Sequence, residues 1–156
     1  MSAGDTGDTG DVGGVPLWEV LQTAHLAARR FTEVFAEAGL TPAQYGVLAS
    51  LADGDELSQA DLARAVLVRP QSMGRLITSM VEQGLVARLG PGGRGRRTGL
   101  EATEAGRRAL ARARPAAYAA NEPAALGLQP DDARRLVGYL RTVRATLERD
   151  APAGSA

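Results

Sequence analysis

The sequence contains no cysteine, which excludes disulfides, thiolate nucleophiles and cysteine-ligated metal. Its single histidine, His25, leaves a structural zinc site without the usual donors. No apolar run approaches the roughly 18 residues that a membrane helix requires, and no basic stretch precedes an apolar one as in a secretory leader. A soluble, cytoplasmic protein is expected. Lysine is also missing, so every basic side chain is an arginine. Aromatic residues make up only 4% of the chain, so its helices must pack through leucine, valine and alanine with a few larger anchors. At 156 residues the chain is long enough for one domain with a sizeable core.

The formal net charge is zero, which alone argues against a polyanionic partner. The distribution argues the other way. Acidic residues outnumber basic ones before Leu57, whereas Arg69, Arg75, Arg88, Arg94, Arg96 and Arg97 are opposed within their own span only by Glu82. A basic stretch of this kind is the usual electrostatic footprint of nucleic-acid binding.

Met1 to Gly14 (MSAGDTGDTGDVGG) has too few apolar groups to bury and is expected to be a disordered tail. A first helix is predicted from about Pro16 to Ala38. Leu17, Leu21, Ala24, Ala28, Phe31, Phe35 and Ala38 form its apolar stripe. Val20, Leu26, Ala27 and Val34 widen that stripe beyond one neighbour, so the helix should be covered on two sides, by its own core and by a second subunit. Gly39 stops it. Thr41-Pro42-Ala43-Gln44 then starts a second helix with a capping box, with Leu40 and Tyr45 at the hydrophobic-staple positions.

The device repeats at the third helix, Ser58 to Val66, with Asp61 closing the box and Leu57 facing Leu62. A tight turn leads to a fourth helix, Pro70 to Gln83, ended by Gly84. Leu85 to Leu89 and Thr98 to Ala102 read as hairpin strands around the loop GPGGRGRR. A fifth helix opens at Thr103-Glu104 and runs toward Ala120, with Pro115 expected to end or kink it near Ala111. Pro123 and Gly127 mark a loose link. Pro130-Asp131-Asp132 starts a sixth helix with proline at its first position and acids in its first turn. Ala133, Leu136, Leu140, Val143 and Leu147 give it a heptad-like seam. No internal repeat is present.

Two helices across a tight turn, followed by an arginine-bearing hairpin, read as a winged helix-turn-helix. On the fourth helix, Gln71, Ser72, Gly74, Arg75 and Thr78 can share one face, and Met73, Leu76, Ile77, Met80 and Val81 the other. A helix docked in a major groove needs such a small or polar front and an apolar rear. Arg75 can pair bidentately with guanine, and Gln71 can read adenine or a phosphate. An ordinary amphipathic helix with a solvated front shows the same pattern. The wing decides between them: Arg88, Arg94, Arg96 and Arg97 share a glycine-rich hairpin tip without a carboxylate, suited to a narrow minor groove. Arg107, Arg108, Arg112 and Arg114 of the fifth helix have Glu101 and Glu104 nearby and are read as a solvated face.

The stretches LTPAQYGVLASLA, LSQADLARAV, RPQSMGRLITSMVEQGLVAR and LEATEAGRRAL, in this order and spacing, resemble the MarR family of bacterial transcriptional regulators. The resemblance spans nearly all of Pro16 to Leu147. It implies a mainly α fold with a small β-hairpin wing, a six-helix homodimer with a winged helix-turn-helix in each subunit. Residues 15–38 and 128–149 would form the dimer interface, with Leu17, Leu21, Leu136, Leu140, Val143 and Leu147 in the contact. Residues 40–102 would be the DNA-binding lobe, 103–127 a connecting helix and 150–156 a frayed end. The partner implied is double-stranded DNA carrying a pseudo-palindromic operator, which would place the protein on the nucleoid when bound.

By position, the resemblance puts Ser72 and Arg75 against bases and phosphates and Ser58 against phosphate, with Arg69 and Gly74 on the same surface. The family's wing usually carries Asp-x-Arg; here the triplet is Arg94-Gly95-Arg96, which keeps the inserted arginine and reverses the charge of its partner. The family also often binds small aromatic or phenolic acids between the dimer helices and the DNA-binding lobe. Trp18, His25, Arg29 and Tyr45 lie on helices that would line such a pocket, with Arg29 as partner for a carboxylate. The plainer readings are core for Tyr45, interface packing for Trp18 and a surface or interface position for His25. Peroxide sensing through cysteine and zinc sensing are both excluded by composition.

The sequence thus predicts a DNA-binding regulator, a repressor released by a small ligand, with no cofactor and no metal. A rival reading is a dimeric protein-interaction adaptor that has lost DNA binding, favoured only by the altered wing triplet. An enzyme is the weakest reading. No nucleophile–base pair or metal constellation is apparent, and GPGGRGRR opens no helix and lacks the Lys-Ser/Thr end of a phosphate-cradling loop.

Overall fold

The computed structural model describes residues 14–53, 58–89 and 99–150. Residues 1–13, residues 54–57 including Leu57, the whole wing loop with Arg94, Arg96 and Arg97 together with Thr98, and the last six residues lie outside the described residues.

Helix α1 (Pro16–Ala36) ends two residues before the predicted Ala38. The Leu40 N–H reaches back to the Phe35 carbonyl at 3.0 Å and Gly39 takes φ +72°, so the last turn closes early in a glycine-dependent cap. Only Val34 and Phe35 of α1 are buried. Helix α2 (Pro42–Ala52) starts on the predicted capping box: Gln44 N–H donates to Thr41 Oγ1 at 3.2 Å and Thr41 N–H to Gln44 Oε1 at 2.9 Å. The Gln44 amide is itself buried and donates to Gln83 Oε1 at 3.0 Å.

Helix α3 (Gln59–Ala65) carries the second box, with Asp61 N–H donating to Ser58 Oγ at 3.1 Å and Ser58 N–H to Asp61 Oδ2 at 3.0 Å. A turn at Val66–Arg69 leads into helix α4 (Pro70–Glu82). Strands β1 (Val86–Arg88) and β2 (Leu100–Ala102) pair antiparallel, Val86 opposite Ala102 and Arg88 opposite Leu100. They are shorter than the predicted strands; one further bond, Leu89 N–H to the Gly99 carbonyl at 2.8 Å, extends the ladder.

Helix α5 (Glu104–Asn121) runs through Pro115 without a break, correcting the expectation that the proline would end it near Ala111. One backbone bond is lost at Pro115. Ala109, Leu110, Ala113 and Ala117, on both sides of it, are buried in the common core and hold the helix across that gap. The predicted loose link is also more ordered than expected: Pro123–Leu126 form a 3-10 turn closed by Gly127 at φ +70°. Helix α6 (Pro130–Asp150) follows as predicted and has no buried residue.

The core gathers Leu48, Leu62, Met73, Ile77, Met80, Val86 and Leu100 from α2, α3, α4 and the hairpin, against α5 and the end of α1. No helix among the described residues is long and apolar enough to cross a membrane.

Candidate nucleic-acid interface

Arg69 caps α4 with extended backbone (φ −66°, ψ 141°) and Pro70 presets the first turn. Along α4, Met73, Ile77 and Met80 recur at spacings of four and three and are all buried. This rear face fixes the helix by its apolar side, which leaves Gln71, Gly74, Arg75 and Thr78 exposed together on the front. Ser72 is half-buried, at the edge of that front and not on it. Gly74 has no atom within 4 Å of where a Cβ would stand, so nothing inside the chain requires glycine there. Thr78 Oγ1 donates to the Gly74 carbonyl at 3.0 Å, keeping its own polar atom on the helix.

Among the described residues no carboxylate lies within ion-pair distance of Arg69, Arg75 or Arg88, although their neighbour Arg64 is paired with Asp61. The fifth-helix arginines behave differently. Arg107 and Arg108 both reach Glu104, at 3.2 and 3.3 Å, and Arg114 lies 3.9 Å from Asp53. They form the expected solvated, partly neutralised face, with Arg112 the member that has no such partner among the described residues. Arg88 ends β1 at the base of the wing, on the exposed side. Ser58 presents a hydroxyl already engaged in its cap, donating to Asp61 Oδ2 at 2.5 Å.

A cleft of about 310 Å³ opens beside this unit, between α1, α2, α5 and the α3–α4 turn. Phe31 and Phe35 stack at 5.5 Å and Phe35 and Tyr45 at 4.2 Å, making one aromatic wall. Burial raises the Tyr45 phenol above its ordinary value; Tyr118 and Asp53 add to the shift and the Arg114 guanidinium opposes it. Of the four residues singled out for a ligand, only Tyr45 lines this cleft. Trp18 and His25 share a separate shallow groove with Leu21 and Leu26. Arg29 is exposed on α1 and lines neither. Sequence reasoning missed Gly46, Leu67, Tyr118 and Asn121 in the lining. Only Gly46, a glycine inside an apolar helix, carried a readable signal of close approach. Among the described residues no group of His, Asp and Glu converges as a metal site.

Two antiparallel strands after a helix-turn-helix, with α4 held by its apolar side and its polar side outward, define a winged helix-turn-helix protein. A model of the MarR family matches residues 38–97. Over that stretch the chain resembles the MarR family, and its fold is shared with solved MarR family transcriptional regulators. It is similar to a MarR family transcriptional regulator of Silicibacter pomeroyi DSS-3, with 28% identity, TM-score 0.69, and coverage of 86% of this chain and 96% of that one. The Mycobacterium tuberculosis transcriptional regulator MosR is 26% identical with TM-score 0.63, covering 86% and 98%. A M. tuberculosis MarR family protein in complex with p-aminosalicylic acid is 25% identical with TM-score 0.63, covering 81% and 95%. No curated protein matches the chain in sequence.

Proposed function

We propose that two copies of the chain pair through α1 and α6 and present their α4 helices to successive major grooves of a pseudo-palindromic operator. There they act as a repressor that a small ligand releases. The observation that carries this reading is the front of α4. Gln71, Gly74 and Arg75 are exposed together, with no carboxylate in ion-pair distance of Arg75 among the described residues, on a helix whose other side is locked in the core. Arg75 is assigned to a guanine edge and Gln71 to adenine or phosphate. Ser58, Arg69 and Ser72 are assigned to the backbone of the groove, and Arg88, Arg94, Arg96 and Arg97 to the flanking minor groove.

Pairing through the terminal helices is supported by what one chain leaves uncovered. Leu17 and Leu21 of α1 are 57% and 58% exposed, and Leu136, Leu140 and Leu147 of α6 are 39%, 42% and 48% exposed. Leaving so many large apolar groups in water on adjoining helices is unfavourable, and a second copy removes them from it. MosR has been solved in complex with DNA and the other mycobacterial relative with p-aminosalicylic acid, which supports both halves of the reading by analogy. The two reading helices must stand about 34 Å apart to use one face of DNA. A ligand that binds a differently spaced pair better draws the population away from the operator.

The test is a mobility shift with DNA upstream of the protein's own reading frame, titrated with salt, beside sedimentation of the free protein. A dimer at micromolar concentration and retention that weakens steeply with salt are expected. A monomer, or no retention at low ionic strength, overturns the proposal.

A further inference from the structure

Gln44 is the one buried polar side chain among the described residues, at 7% exposure, and each end of its amide is committed. Its Oε1 accepts the Thr41 N–H at 2.9 Å and its Nε2 donates to Gln83 Oε1 at 3.0 Å. Gln83 Nε2 donates in turn to Ser79 Oγ at 2.9 Å. The order of donors and acceptors along this relay is dictated from its start. A backbone N–H can only donate, so the oxygen of Gln44 faces Thr41 and its NH2 faces Gln83, which must answer with an oxygen of its own. The relay joins the first turn of α2 to the end of α4 across 39 positions of sequence.

The other contacts of α4 do little to fix its rotation. Its rear face is Met73, Ile77 and Met80, and the two methionines are unbranched and repack readily when a helix turns. The Thr103 hydroxyl reaches the carbonyls of Gly84 and Leu85, which fixes where the chain leaves α4 and not how the helix is turned. A hydrogen bond made by a side chain standing off the axis does resist turning, and Gln83 supplies one. The consequence is greatest at the front of the helix, where Arg75 stands about two turns before Gln83. A rotation of about 10° carries a side-chain end about 6 Å from the axis through about 1 Å. That is enough to spoil a pairing that needs two well-aligned hydrogen bonds at once.

We propose that Gln44 is a positioning residue for sequence reading: acting through Gln83, it fixes the rotation of α4, and so the register of Gln71 and Arg75 against base edges, without itself meeting DNA. The positioning role rests on the reading of α4 as the helix that enters the major groove; the relay itself does not.

The experiment compares two variants. Gln83→Met keeps the length of the side chain but neither accepts from Gln44 nor donates to Ser79. Gln83→Glu still offers an oxygen to Gln44 Nε2 and another to the Ser79 hydroxyl, which can donate as well as accept. It also sets a negative charge at a helix C-terminus, which costs stability, so it doubles as the control for destabilisation. Affinities of the full-length proteins for the upstream fragment, and for the same fragment with its base order shuffled, are measured at one salt concentration. In Gln83→Met the ratio of the two affinities should fall on the order of tenfold. In Gln83→Glu the ratio should stay close to the parent's, although the added charge weakens both affinities. A purely structural role would lower both affinities together and leave the ratio unchanged in Gln83→Met. That outcome, or a ratio lost equally in the two variants, overturns the positioning role. The relay is read without DNA from exchange of the Gln44 side-chain amide protons in the free protein, followed by nuclear magnetic resonance. Exchange should be slow in the parent and in Gln83→Glu, and faster in Gln83→Met; equal exchange in all three overturns the relay. Equal retention of both duplexes by the parent overturns the reading of α4 and the positioning role with it, and leaves the exchange result standing.

Discussion

The carbonyl oxygen of Leu85 lies 2.1 Å from where a Cβ on Gly106 would stand. The start of the wing and the first turn of α5 thus touch backbone to backbone. Thr103 reinforces the junction, its N–H donating to the same carbonyl at 3.1 Å and its hydroxyl to the Gly84 carbonyl at 2.5 Å. Gly106→Ala must push the hairpin away from α5, because the obstacle is main chain and cannot rotate aside. A loss of about 1–3 kcal/mol in stability is expected by urea unfolding. An unchanged midpoint would show that the junction is looser than described.

Gly74→Ala should act in the opposite direction on the free protein. No atom lies within 4 Å of the added methyl, so the helix gains the alanine advantage of about 1 kcal/mol. The same methyl projects from the front of α4 between Gln71 and Thr78, so operator affinity should fall while thermal stability rises. A variant that is both more stable and equally tight on DNA would remove Gly74 from the interface.

Arg75→Ala and Arg88→Ala should separate reading from anchoring. The first is expected to relax preference at particular base pairs by about 1–3 kcal/mol. The second should weaken all sequences alike and reduce the salt slope by about 1. Selection from a randomised duplex pool, with parent and variants in parallel, distinguishes the two patterns.

The Tyr45 phenol carries an alkaline signature. Its folded-state value is raised, chiefly by burial, so the folded state favours the neutral form. Its contribution to stability is fully present below the ordinary value of about 10 and is lost as pH rises through the folded value. Tyr45→Phe should therefore lose less stability than the parent above that range, measured by unfolding midpoints at neutral and alkaline pH. An identical decline in both proteins would contradict the assignment.

Leu140→Glu, on α6, should leave the core intact because no core residue contacts depend on it. It should shift sedimentation toward the monomer and abolish retention of DNA with little change in helix content by circular dichroism. A dimer that survives the charge would place the pairing surface elsewhere.

Local chemistry was legible in the sequence. The Thr41–Gln44 and Ser58–Asp61 boxes, the stop at Gly39 and the buried Met73–Ile77–Met80 side of α4 depend on residues a few positions apart, where spacing alone fixes geometry. Pro115 was misread because local preference was overruled by burial of Ala109, Leu110, Ala113 and Ala117 around it. The lining of the cleft is not legible in the same way. At about 1.5 Å per residue, Trp18 stands roughly 20 Å along α1 from Phe31, so sharing a helix does not place them at one ligand. Tyr118 and Asn121 reach the cleft only through the packing of α5 on α1 and α2, which no short-range pattern encodes.

Helix α6 has a consequence for dosage. A 21-residue helix with no buried position rests in its own chain mainly on the 3-10 turn before it and on Val20 of α1, so under the proposed pairing a second copy would supply most of its cover. Promoter occupancy then varies with the square of protomer abundance when copies are scarce. Expression level would become a second input to the switch, independent of any metabolite.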